Sequence, residues 1–417
     1  MKIKRWATLL LLIAVLALGV LMLSYPVASW EAGVRGLAIW WDVLFPSLFP
    51  FFVISEVMLG FGIVHFLGKL LDPLMKPLFR IPGSGGFVAA MGFASGYPVS
   101  AKLATQLRLQ KLITQVEGER LVAFTTSSDP IFLIGAVSVG FFGNPKLAGI
   151  LALAHYGSAI LLGLMMRFYG TKSNNKEHSP IVSAANHRHR FSIRGALRAM
   201  HEARMKDGRG LGELLQQAVT SSLQLMAVVG GLVVFFSVVL EVLTASGVMT
   251  TLYSGLRFLL PFAGLPPALA EPLLGGLFEV TLGAKAAAAP ASVPLIFKAS
   301  AAAFILSWGG LSVHAQVASI LNGADLRYLP FLIARLLHAI LAAIFVLLLW
   351  QPVMGTLPVL SPLFSIEGVV GPIGWGGFPS AFLLFLKIIS TLLILSVLTV
   401  IIRKNLISTK TKGGYRK

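Results

Sequence analysis

The chain has 417 residues, 56% of them hydrophobic and 12% charged. Soluble domains carry about 25% charged residues, so a soluble globular protein is excluded in favour of one integral to a membrane. Zero cysteines exclude disulfides, thiolate metal sites and cysteine nucleophiles. The formal charge of +18 does not mark a nucleic-acid partner, because the basic residues lie mainly between apolar runs, where they orient a membrane protein.

At the N-terminus, Lys2, Lys4 and Arg5 precede an apolar run from Trp6 to Ser24. That run exceeds the ~7–15 residues of a signal core and matches the ~20 needed to span hydrocarbon. Residues 1–30 are therefore expected to form a retained transmembrane helix rather than a cleaved signal.

Residues 31–170 read as a first gate-like repeat, with apolar crossings predicted at about 39–64, 121–141 and 147–168. Between them, residues 84–110 are apolar but interrupted by Gly, Pro, Ser and Ala, most densely in MGFASGYPVSAK, Met91 to Lys102. Broken backbone is tolerated at membrane depth only where it is buried in protein or lines a wet cavity, so this stretch is predicted to be a re-entrant hairpin. Helix starts freed by such a turn attract anions and freed carbonyls hold cations. Ser95, Tyr97, Ser100 and Lys102 are the candidate solute contacts on it, although Lys102 has the plainer alternative of snorkelling to the membrane face. Thr125, Thr126, Ser127 and Ser128 add hydroxyls, and Asp129 adds a group for a proton or ion. Standing before Pro130, they are predicted to unwind; the alternative is a helix whose hydroxyls bond back to the preceding turn. His155 reads as structural.

Residues 171–212 carry many arginines and lysines together with His178, His187, His189 and His201, and are expected to be a basic cytoplasmic loop. The HRHR run lacks the carboxylates and spacing of a metal site, so no metal is expected. Residues 213–350 read as a second, inverted gate-like repeat with crossings near 217–243, 295–320 and 328–349 and a hairpin near 265–290. Its GGLFEVTLGAK, Gly275 to Lys285, aligns with GFASGYPVSAK, and SWGGLSVHAQ, Ser307 to Gln316, follows it as TTSSDP follows the first hairpin. Thr281 and Lys285 become candidate solute contacts, and Glu279 and His314 candidate groups for a coupling proton or cation. A Glu279–Lys285 ion pair is the structural alternative. Arg335 and His338, three apart on one face, read as inward packing or snorkelling. Residues 351–417 are expected to give an external Gly/Pro loop, a last transmembrane helix near 380–402 and a basic cytoplasmic tail. The fold class is thus an all-α polytopic membrane protein, about eight transmembrane helices plus two re-entrant hairpins in an inverted repeat, with both termini cytoplasmic.

Three stretches, FPSLFPFFVISEVMLG, GFASGYPVSAK and TTSSDPIFLIGAVSVGFFG, resemble the YlbJ-type sporulation integral membrane proteins of endospore-forming Firmicutes, and the resemblance covers nearly the whole chain. That family carries a nucleoside recognition gate domain, distantly similar to the concentrative nucleoside transporters with their re-entrant hairpins and discontinuous helices. The resemblance implies a stage V sporulation role in the mother cell: moving dipicolinate (dipicolinic acid, pyridine-2,6-dicarboxylate) across the outer forespore membrane by alternating access. No family motif is tied to substrate contact, so the site residues rest on the chain's own chemistry. GLFEVTLGAK in place of GFASGYPVSAK leaves open whether both hairpins touch the solute.

The expected function is therefore secondary transport of a small organic anion, with dipicolinate as solute, the bilayer as surroundings and a proton or cation as coupling partner. A homo-oligomer is left open, and no cofactor or nucleic acid is expected. Patterns GxxxxGK[ST], HExxH and GxSxG are missing from the sequence, which argues against an ATP-driven pump or an enzyme. The rivals are a nucleoside permease and a non-transporting sporulation scaffold that docks partners on the basic loop.

Overall fold

The computed structural model describes residues 2–170 and 193–354, and every regular element among them is helical. The first half comprises α1 (Lys2–Ser24), α2 (Pro26–Ala38), α3 (Phe45–Gly60), α4 (Ile63–Leu74), α5 (Ser84–Ser95), α6 (Tyr97–Leu109), α7 (Gln115–Thr125) and α8 (Leu147–Met166). The second comprises α9 (Ile193–Asp207), α10 (Leu211–Ala245), α11 (Val248–Leu259), α12 (Ala270–Phe278), α13 (Val280–Ala288), α14 (Leu295–Trp308), α15 (Gly310–Asn322) and α16 (Tyr328–Met354).

Segments Leu147–Met166, Leu211–Ala245, Leu295–Asn322 and Tyr328–Gln351 are long and apolar enough to cross a membrane. Leu12–Ser24 and Pro26–Leu44 make a fifth crossing if the pair, bent by 100°, is counted as one. The bend falls where Pro26 opens α2, a first-turn position that tolerates the missing N–H. The crossing predicted over 39–64 is not one regular helix. Wider π turns run from Ile39 to Leu44, Pro50 lies inside α3, and the chain turns at Gly62, φ +75°. Each proline withdraws a donor from the ladder. The segment predicted at 121–141 is also divided, into α7 and a π-type helix at Phe132–Phe141. The last predicted crossing and the basic tail lie outside the described residues, as does most of the predicted basic loop.

That loop ends in a helix. Ile193, Ala196, Leu197 and Met200 recur at helical spacing, and α9 lays Ala196 inward and packs on α4. Amphipathic spacing outweighed the dense charge around it.

Two layers make the core. Helices α8, α14 and α16 pack on one another through a large apolar cluster that includes Leu147, Leu151, Ile305, Leu306 and Val346. Beside it, α5, α6 and α7 meet α15 and the start of α16 around Val88, Phe124, Val317 and Phe331. The spanning windows of α8 and of α14–α15 are 67% buried, whereas those of α10 and α16 are 33% buried. The broken helices therefore occupy the middle, and α10, with α2 and α3 against it, lies to one side.

At one end of the molecule the turn before α16 is tied to the first half. Arg327 Nε donates to Glu119 Oε1 at 2.7 Å and Nη2 to Oε2 at 2.9 Å. The Tyr169 hydroxyl donates to the same carboxylate at 2.8 Å. Arg108 Nε and Nη2 reach both oxygens of Asp325 at 2.7 and 2.6 Å. Hydrogen bonds from Arg108 hold the Asp325 carboxyl below its ordinary range, and Glu119 raises Arg327. Burial, reinforced by Glu119, pushes the Tyr169 hydroxyl up to about 12. Helix α7 starts beside this cluster with a reciprocal cap. Thr114 Oγ1 accepts from Glu117 N at 3.3 Å, and Glu117 Oε2 accepts from Thr114 N at 2.8 Å.

Candidate site at four helix breaks

Four interruptions of helix fall in the middle layer. Helix α5 ends at Ser95, and Gly96 turns the chain with φ +85° and ψ −174°, a conformation essentially reserved for glycine. Helix α6 then starts with Pro98 in its first turn and no side-chain cap. Helix α7 ends at Thr125, and Thr126 to Asp129 leave the helix, as the proline that follows them predicted. Helix α12 gives way to α13 at Glu279, in extended backbone. Helix α14 gives way to α15 at Gly309 and Gly310, φ +89° and +75°.

The breaks touch one another. Ser100 Oγ and Thr126 Oγ1 are 3.0 Å apart, and a Cβ built on Gly92 would collide with the Thr125 carbonyl. A Cβ on Gly96 would come within 3.3 Å of Asp129 Oδ2, and one on Gly310 would stand 3.0 Å from the Glu279 backbone. Tyr97 crosses from the first hairpin to donate its hydroxyl to Leu306 O at 2.5 Å, beside Gly309.

Two of the freed helix starts already hold an acid. Asp129 Oδ1 accepts from Ile131 N at 3.0 Å and Phe132 N at 2.8 Å. Glu279 Oε2 accepts from Leu282 N at 2.8 Å. The starts of α6 and α15 have no side-chain cap.

A chain of imidazoles binds this junction to the helices behind it. Ser128 N donates to His155 Nε2 at 3.0 Å, so that nitrogen is an acceptor. Nδ1 therefore carries the proton and donates to Ser307 Oγ at 2.7 Å, while Ser127 Oγ donates to Nε2 at 2.7 Å. His338 Nε2 donates to the His155 carbonyl at 2.8 Å, and its Nδ1 accepts from Arg335 Nη2 at 2.6 Å. Tyr156 donates its hydroxyl to Ser128 O at 3.0 Å. Arg335 is fully buried. Its Nη2 also lies 3.4 Å from Ala123 O, but Nε and Nη1 have no hydrogen-bond partner, and neither does Ser128 Oγ. Among the described residues no carboxylate is within ion-pair distance of Arg335.

Of the residues singled out in the sequence, Tyr97, Ser100, Thr125, Thr126, Ser127, Ser128, Asp129, Glu279, Thr281 and His314 are buried and Ser95 is half-buried. Thr125 keeps its helix and bonds back to Leu121 O at 2.7 Å, so the back-bonding alternative holds for it and unwinding for the next four. His314 Nδ1 accepts from the Tyr328 hydroxyl at 2.7 Å, and Nε2 donates to Trp308 O at 3.2 Å. Lys102 and Lys285 are exposed, and no ion pair joins Lys285 to Glu279 among the described residues. No cluster of three or more metal-ligating acids or imidazoles occurs among them either.

Sequence reasoning set aside His155, Arg335 and His338. The signal was present for the last two, the only Arg and His of α16, a 27-residue apolar helix, since an ionisable group at such a position marks function by default. His155 carries the same signal as the only His of the apolar α8, but its partners Ser127, Ser128 and Ser307 lie on other segments and cannot be read from its spacing. Together the junction offers donors and a cation to an anion, and two carboxylates to a cation or proton.

Residues 42–177 match the family model described as Gate, nucleoside recognition. The stretch contains the first hairpin and the Thr126–Asp129 break. The sporulation integral membrane protein YlbJ of Bacillus subtilis (strain 168) is 46% identical over 356 residues, which cover 84% of this chain and 85% of that protein. No solved structure matches.

Proposed function

The chain belongs to the YlbJ family of sporulation integral membrane proteins, and from that premise we propose that it is a secondary transporter of a small organic anion, exporting dipicolinate from the mother cell across the outer forespore membrane. The observation that carries this reading is the meeting of four helix breaks around buried hydroxyls and imidazoles. Paired interruptions in two halves are how secondary transporters build a midplane site. Dipicolinate is planar and dianionic at neutral pH, suited to uncapped helix starts and hydroxyl donors.

In this reading residues 31–170 and 213–350 are two gate-like repeats of opposite orientation, rocking about the junction. Both termini and the basic segment 171–212 face the cytoplasm, with eight crossings in all. Tyr97, Ser100, Thr126, Ser127 and Ser128 face the solute, and Asp129, Glu279 and His314 serve the coupling proton or cation.

Purified protein in proteoliposomes tests it. Saturable dipicolinate flux unaffected by excess uridine is the expected result. The nucleoside-recognition match over 42–177 favours one second reading, a nucleoside permease, for which uridine would be carried and would compete. Vesicles holding folded protein that carry neither solute would leave the scaffold role.

A further inference from the structure

Resting on that transport reading, we infer that Arg335 is the group that receives a carboxylate of the solute, positioned by His338, and that the Ser128 hydroxyl is a second, uncharged contact. The guanidinium is fully buried, yet two of its three nitrogens have no acceptor. A buried cation without a counter-ion is strongly disfavoured. Arg167 and Arg204 each leave one nitrogen without a hydrogen bond, Arg335 leaves two, and three other buried or bridging arginines have good acceptors. Arg120 donates to the carbonyls of Tyr169 and Arg80, Arg327 to Glu119, and Arg108 to Asp325. Arg335 alone among these four has only an imidazole nitrogen, a distant carbonyl and the face of the Phe331 ring, 5.8 Å from its Cζ.

The second unsatisfied group points the same way. Ser128 Oγ lies in the unwound segment, and the amide of the same residue is joined to Arg335 through His155 and His338. That chain spans the gap between helix α16 and the break after α7, so the two orphaned polar groups flank one hydrogen-bonded path. His338 takes one Nη2 proton and fixes the guanidinium plane, leaving Nε on one side of Nη2 and Nη1 on the other, either of which can donate to a carboxylate oxygen. A carboxylate supplies both the charge and the planar acceptors that a guanidinium matches. An uncharged solute would leave the buried charge uncompensated, which selects acids over nucleosides.

The test is binding of dipicolinate and of uridine to the full chain in lipid nanodiscs, by calorimetry and by thermal unfolding, for wild type, Arg335→Gln and Arg335→Met. Wild type should bind dipicolinate and melt higher with it. Both neutral variants should fold with an unliganded melting temperature no lower than wild type, since they remove an uncompensated buried charge. Their dipicolinate affinity should fall by roughly thirtyfold or more, the loss typical of truncating one side of a buried charge pair. Dipicolinate bound by a variant within threefold of wild type overturns the role of Arg335 and leaves the transport reading intact. Failure of both variants to fold makes Arg335 structural and also overturns it. Uridine bound by wild type with no dipicolinate binding overturns the inference and the anion-transport reading together.

Discussion

Between α5 and α6 the chain is broken by a glycine with positive φ, and the amides that open α6 receive no side chain. Between α12 and α13 the break falls on Glu279, whose own carboxylate caps the next helix. A freed helix start carries roughly half a positive charge. In the first hairpin no side chain caps that charge, and in the second the Glu279 carboxylate does. The two hairpins thus differ in what they offer: in the proposed transport the first suits an anion, and the second a cation or proton shared with its carboxylate. The following breaks reverse the pattern, with Asp129 capping in the first half and bare glycines in the second.

The largest expected effect concerns what holds the second hairpin closed. A Cβ on Gly283 would overlap the Gly276 backbone, whereas one on Gly275 meets its nearest atom at 4.0 Å. Gly283→Ala should cost about 3 kcal/mol or abolish the folded protein, the upper range for overpacking, and Gly275→Ala should melt like wild type. Equal melting temperatures would show that close approach of α12 and α13 is not what shapes this hairpin. In the first hairpin the corresponding probe is Gly96→Ala, which should cost about 1–3 kcal/mol from backbone strain, read as a lowered unfolding midpoint.

Glu279→Gln keeps a capping oxygen and removes the charge. It should lower stability by about 1 kcal/mol or less. Dipicolinate binding should stay within about threefold of wild type, below the loss expected when a charged ligand contact is removed, while flux no longer responds to an imposed proton or sodium gradient. Loss of binding with coupling intact would reverse the assignment of the two hairpins. The smallest effects are expected at the two lysines. As candidate solute contacts, Lys102 and Lys285 would lower transport when changed to Ala, but their exposure argues for flux within about twofold of wild type, as for surface charges generally. A fall beyond tenfold would return them to the solute path.

The helix breaks were legible because their signals are local. Pro130 announces the unwound stretch before it, and Gly96 and Gly309 are residues that positive φ requires. What sequence could not show was convergence. Nothing in the spacing of His155, Ser127 and Ser307 says that one imidazole bridges the other two. Arg335 was visible as a charge in an apolar helix, but inward packing and solute contact look alike until the partners of its nitrogens are known. Lys102 and Lys285 close their motifs, but on a helix neighbouring residues face different ways, and exposure of both side chains is something the motif alone does not show. The count of crossings suffered from Pro50 and the π turns, which divide apolar runs that composition alone makes continuous.

The Glu119–Arg327 pair also sets an order of assembly. Its partners are 208 residues apart in sequence, so at synthesis rates of roughly 5–20 residues per second the carboxylate emerges from the ribosome about 10–40 s before its guanidinium. Tyr169, 50 residues after Glu119, reaches it first and supplies a hydroxyl but no charge. Until the start of α16 follows, the end of the first half that carries Glu119 must keep that carboxylate in contact with water. Closure of that end therefore waits on the second half, and a nascent chain halted before Arg327 would expose there a surface that quality-control proteases can recognise.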